Sequence, residues 1–219
     1  MTTNINLKDM ERKAWTSFFD DGLLDVIMGL TLLAVGIPAM LPNFFVSELR
    51  QDAASAALMV LALFVYCLGK RFITMPRIGR ARFGPTRKAK LRKTTVIYAI
   101  SVVVGAIVFL MIMLGLSPSP PGWVQRLGVP GLLALGIGGW MLLILGLGAY
   151  FTDFTRGYVI AALYALAFSG TVLLHNRIMF IVAGTLAVLM GGVVFIGFLR
   201  KYPAPAQGPP GQRAPDGNQ

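Results

Sequence analysis

The amino-acid sequence predicts an all-α fold, a polytopic membrane bundle of six transmembrane helices with an N-terminal amphipathic surface helix and a disordered C-terminal tail. Three observations carry that prediction. The 219-residue chain is 56% hydrophobic and only 13% charged, with a mean hydropathy of +0.70. Average soluble domains carry about 25% charged residues, so this chain lacks the polar side chains to cover its own apolar mass, and lipid is the expected cover. Uncharged stretches long enough for roughly 30 Å of hydrocarbon recur along it. Ten of the twenty Lys and Arg residues are gathered between Gly69 and Lys93, with apolar stretches on either side. An excess of Lys and Arg marks the loop that stays cytoplasmic.

Residues 1–20 carry Leu7, Met10, Ala14, Trp15 and Phe18 at helical spacing with charges between them, the pattern of an interfacial amphipathic helix. They have no apolar core, so a cleavable signal peptide is not expected and the first span serves as an anchor. The membrane domain is expected over 21–201. Its first span runs from Leu23 to Leu41, with Pro38 expected to kink the far end. The second, Ala53 to Leu68, has only sixteen residues, so Lys70 and Arg71 are expected to snorkel toward the headgroups while Phe72 and Ile73 extend the apolar part. The third, Thr94 to Leu116, has 23 residues and no charge, and the proline-rich Ser117–Gly122 segment ends it. Trp123 suits an interfacial anchor before a fourth span over Gly131–Phe151. A turn at 153–157 leads to a fifth span over Tyr158–Leu174, and a turn at 175–177 to a sixth over Ile178–Leu199. Residues 202–219, rich in Pro, Gly and Gln, form the expected disordered cytoplasmic tail.

Six spans with both termini inside place three cations before the first span, ten in the basic loop 69–93, one in the 153–157 turn and three after the sixth span, 17 in all. Only Arg50, Arg126 and Arg177 fall outside. That asymmetry predicts an integral protein of the plasma (inner) membrane with both termini cytoplasmic. The net charge of +11 is therefore expected to meet anionic headgroups rather than nucleic acid, since no basic module with interleaved aromatics accompanies the loop.

One cysteine, Cys67, and one histidine, His175, exclude an intrachain disulfide and a Cys/His zinc site. No cofactor is implied. Ionisable groups near the membrane are the first candidates for function. Asp21 and Asp25 stand four residues apart and share a helix face, with Asp20 adjacent. The trio would bind a hard cation, relay a proton, or pair with the basic loop, whose first half supplies Arg77, Arg80 and Arg82. Capping by Asp20 or Asp21 needs no ligand at all, but does not account for Asp25. Arg87, Lys88, Lys90, Arg92 and Lys93 open the third span, opposing the helix dipole, so an anionic lipid or an acidic partner is expected there. Small residues at four-residue spacing, Ala161, Ala165 and Ser169 on the fifth span and Ala183, Ala187 and Gly191 on the sixth, predict a close contact between those two helices, with homo-oligomerisation second. A Ser169–His175 protease pair fails because a His six residues on lies roughly 120° round the helix.

These residues predict a non-enzymatic accessory or regulatory component that engages a partner or anionic lipid through its basic loop. A small transporter or channel using Asp25 is the alternative. A membrane enzyme acting on a phosphorylated lipid, with the acidic trio and nearby arginines holding a metal and a phosphate, is the third reading.

Overall fold

The computed structural model describes residues 21–41, 47–78, 85–115 and 121–203. The amphipathic segment 1–20, residues 79–84 of the loop 69–93, and the tail beyond residue 203 lie outside the described residues. Among the described residues all regular structure is helical, and five helices are long and apolar enough to cross a membrane. Their length and composition are compatible with an integral membrane protein. In the remaining long helix the described apolar stretch covers Ala99–Gly115.

Helix α1, Leu23–Met40, starts at Gly22, whose left-handed φ of 73° lets the chain turn sharply into the helix. Asp21 Oδ1 accepts a hydrogen bond from Leu23 N at 3.2 Å, satisfying one of the helix's orphan donors. Helix α2, Glu48–Leu68, is capped by Ser47, whose hydroxyl accepts from Arg50 N. It runs on past Leu68 and beyond the expected extension through Phe72 and Ile73. A π-helical segment, Gly69–Thr74, and a last short helix α3, Met75–Ile78, carry it on as one apolar rod over Glu48–Arg77. Gly69, Lys70 and Thr74 are the buried positions of the π segment. Spacings of four and five residues keep them on one face, as the wider π turn requires.

Helix α4, Pro85–Gly115, places a proline at its first position. Helix α5, Gly122–Thr152, is broken at Gly128, with φ 65° and ψ 165°, two residues before Pro130. It begins earlier than the expected Gly131 because the residues before this break are themselves helical. Asp153 and His175 take left-handed conformations and close α5 and helix α6, Gly157–Leu174. Helix α7, Ile178–Lys201, starts with Asn176 Oδ1 accepting from Ile178 N at 3.0 Å and ends on Arg200 and Lys201.

Packing follows the spatial order α2, α1, α7, α6, α5, α4, with α1 on α7 and α5 on α6 the most extensive pairs. The α1/α7 seam is built on glycine. Gly22, Gly29 and Gly36 recur every seven residues on α1, and a Cβ at Gly29 would lie 2.7 Å from Gly184 O. A Cβ at Gly191 would lie 2.7 Å from Val26 N, so each helix runs backbone to backbone against the other. Helices α6 and α7 do pack against each other, but not every residue of the expected small-residue stripes lies in that contact. Gly191 faces α1, and Ser169 faces α5, where its hydroxyl donates to Ala134 O at 2.8 Å and crowds Gly138. Ala165 lies on the same side, its carbonyl beside Gly138. Ala183 joins Leu32, Ala167 and Phe180 in the core, while Ala161 and Ala187 are fully buried. A mid-helix node links α1 to α6: Tyr164 OH donates to Met28 O at 2.9 Å and Thr31 Oγ1 to the same carbonyl at 2.7 Å, the two hydroxyls also touching. Large side chains such as Val60, Phe64, Val102 and Phe109 project outward from α2 and α4, the surface that lipid would cover.

Candidate functional site

Charge converges where α1 begins. Asp21 is brought into the bundle by the left-handed turn at Gly22, and a Cβ there would lie 2.5 Å from Gly191 O. Only glycine lets α1 enter so close to α7. Asp21 is fully buried, and Lys70 Nζ stands 2.7 Å from its Oδ2. Thr74 Oγ1 donates to the same oxygen at 2.8 Å. The carboxylate thus holds an ammonium, a hydroxyl and a backbone N–H, a satisfied buried ion pair. Lys70 does not snorkel. It is 5% exposed, with its ammonium 5.9 Å from the centre of the Tyr66 ring.

Asp25, one turn along α1, is also fully buried and faces a different helix. Arg156 Nε lies 3.2 Å from its Oδ2, from a side chain that is 27% exposed. The approach has the separation of an ion pair without hydrogen-bond alignment, and neither Asp25 oxygen accepts a hydrogen bond among the described residues. Arg156 also lies 5.6 Å from the Phe154 ring centre. The turn carrying it is fixed by Phe154 N donating to Ala149 O and Gly157 N to Phe154 O.

Arg77 supplies a third tie. Its Nη1 donates to Tyr202 O at 3.0 Å and to Leu199 O at 3.4 Å, satisfying carbonyls at the end of α7 and opposing that helix's dipole. Asp21 to the π segment, Asp25 to α6 and Arg77 to α7 together pin one end of four rods. Asp21 precedes α1 across the left-handed Gly22 and Asp25 lies within the helix, and each takes its own cation. Of the other residues singled out in the sequence, Asp20, Arg80 and Arg82 lie outside the described residues. Arg87, Lys88, Lys90, Arg92 and Lys93 fall on the first turns of α4, but their side chains lie outside what the structure describes. Lys70, Thr74 and Arg156 are the members of this site that sequence reasoning missed.

Chemically, the arrangement is a neutralised acid pair rather than an open ligand site. Among the described residues no three His, Cys, Asp or Glu side chains come together to hold a metal. Ser169 donates to Ala134 O and His175 is exposed at the end of α6, so the two do not form a nucleophile and base. No family model matches the chain, and neither a curated protein nor a solved structure matches it.

Proposed function

We propose that this is a six-span integral protein of the plasma (inner) membrane, with both termini and the 69–93 segment cytoplasmic. Its role is that of a non-enzymatic accessory or regulatory component that engages an acidic surface, of anionic headgroups or of a partner protein, through that segment. The observation that carries this reading is the prior engagement of Asp21 and Asp25. Lys70 and Arg156 already neutralise the two buried carboxylates, and Arg77 is taken up by the end of α7. Seven further cations lie between Arg80 and Lys93. Asp21 and Asp25, the buried acids among the described residues, are committed elsewhere, so these cations look for counter-charge outside that site. Anionic headgroups contribute roughly 1 kcal/mol per cation held at the surface.

The apolar stretch Ala99–Gly115 of α4 supplies the sixth span in this reading, and the alternation of the helices supports it. The start of α1, the end of the α2 rod, the start of α6 and the end of α7 all meet at the Asp21 end. Extraction of the full-length protein in mild detergent, followed by mass measurement of the intact particle, tests the role. A companion protein or retained anionic lipid at fixed stoichiometry is expected, and Gln replacing the five cations from Arg87 to Lys93 should release it. A bare particle from both proteins would contradict the proposal.

A further inference from the structure

The end of the bundle opposite Asp21 holds a second polar grouping. The α2 rod and α7, tied together through Arg77 at one end, leave a cavity of about 440 Å³ beside α1 at the other. Asp52 and Ser55 come from the first turns of α2, Arg177 from the residue preceding α7, and Val35, Met59 and Phe180 form the apolar part. The volume falls in the range of small-molecule sites, about 300–1,000 Å³. Opposite charges line it, yet neither Asp52 nor Arg177 has a salt-bridge partner among the described residues. That contrasts with Asp21 and Asp25, each closed by a cation. Arg177 also stands at the positive end of the α7 dipole, where Asn176 already takes up Ile178 N.

We propose that this cavity binds a small zwitterion bearing an apolar substituent, with its oxyanion at Arg177, its ammonium at Asp52 and its apolar part against Val35, Met59 and Phe180. A carboxylate on α2 and a guanidinium just before α7, over an apolar floor, match a molecule that carries both charges and a hydrocarbon portion. Two sources offer that chemistry. One is a free amino acid with an aliphatic side chain, and the other is the phosphate and ammonium of an amine-bearing phospholipid whose chains continue into the bilayer. The site is independent of the basic segment, being at the opposite end of the helices.

The test uses the full-length protein with two probes. Radiolabelled leucine is measured by equilibrium dialysis in detergent, and lipid retention by native mass spectrometry from vesicles of equal parts phosphatidylethanolamine and phosphatidylglycerol. Saturable leucine binding identifies the free amino acid, and selective retention of phosphatidylethanolamine identifies the headgroup. In either case Asp52→Asn and Arg177→Gln, both at exposed positions, should each weaken binding about tenfold or more, the effect of losing a hydrogen bond to a charged group. Their elution as monodisperse particles shows that the fold survives. Absence of both forms of binding overturns the proposal, as does binding that D52N and R177Q leave unchanged.

Discussion

Lys70→Met removes the cation that neutralises Asp21 while preserving most of the apolar stem. Lys70 and Asp21 have side-chain exposures of 7% and 0%, so water screens their 2.7 Å pair very little. Breaking a buried pair from one side costs about 3–5 kcal/mol because the remaining charge is stranded. Thr74 Oγ1 and Leu23 N continue to donate to the carboxylate at 2.8 and 3.2 Å, which places the expected loss toward the lower limit. At about 2–4 °C per kcal/mol for a chain of this size, a loss of about 3 kcal/mol lowers the midpoint by about 6–12 °C. Size-exclusion elution of detergent-solubilised protein after heating measures it. The double variant D21N/K70M carries no stranded charge and should recover most of the loss, giving a strong coupling in the cycle. A K70M midpoint within about 2 °C of wild type, under 1 kcal/mol on the same scale, would refute the reasoning. So would a double variant that melts with K70M.

The second pair should respond unequally. Arg156→Gln strands Asp25 in a fully buried position and should cost about 3–5 kcal/mol, whereas Asp25→Asn leaves a part-exposed guanidinium that water can reach and should cost about 1 kcal/mol. Equal losses in paired melts would show that Asp25 is not a dependent of Arg156, and loss of solute flux in folded D25N would favour a carrier. On the α1/α7 seam, Gly191→Ala puts a methyl 2.7 Å from Val26 N and should destabilise by about 1–3 kcal/mol. Gly192→Ala, with nothing within 4 Å of the new carbon, should be neutral or stabilise by up to about 1 kcal/mol. The same melting assay compares these neighbours, and similar losses would rule out backbone contact as the cause. Tyr164→Phe deletes the hydroxyl that donates to Met28 O at 2.9 Å, so a loss of about 1 kcal/mol is expected, the scale of interhelical hydrogen bonds in membranes. An unchanged midpoint would make that bond energetically silent.

Helix type and approximate extent were legible because apolar runs and Pro or Gly breaks are local signals. Past Leu68 the extension through Phe72 and Ile73 was legible, but the inward turn of Lys70 was not, because charge at Lys70 and Arg71 looks like a membrane boundary. The sixteen-residue count held the missing clue: a span that short pulls the next lysine inward, where a buried acid can hold it. The π segment that turns Lys70 and Thr74 onto one face has no local sequence signature. Asp21 and Asp25 stood out on spacing alone, but their cations lie 49 and 131 residues away in the chain. Pairing at that separation depends on which helices become neighbours, and helix order is a property of the assembled bundle. The small-residue stripes carried the right chemistry with an incomplete choice of partner. A seven-residue recurrence of glycine, at 22, 29 and 36 on α1 and at 184 and 191 on α7, was present in the sequence and marks the closest seam.

Side-specific labelling tests the central claim, that six spans hold the basic segment and both termini on one side, most directly. In a Cys67→Ala background, single cysteines at Thr3, Arg82 and Gln207 report one side, and those at Ser47, Arg126 and Asn176 the other. A membrane-impermeant maleimide added to sealed, right-side-out vesicles should modify the second set and reach the first only after permeabilisation. Labelling of Gln207→Cys without permeabilisation, or of Arg82→Cys together with Ser47→Cys, would contradict the account.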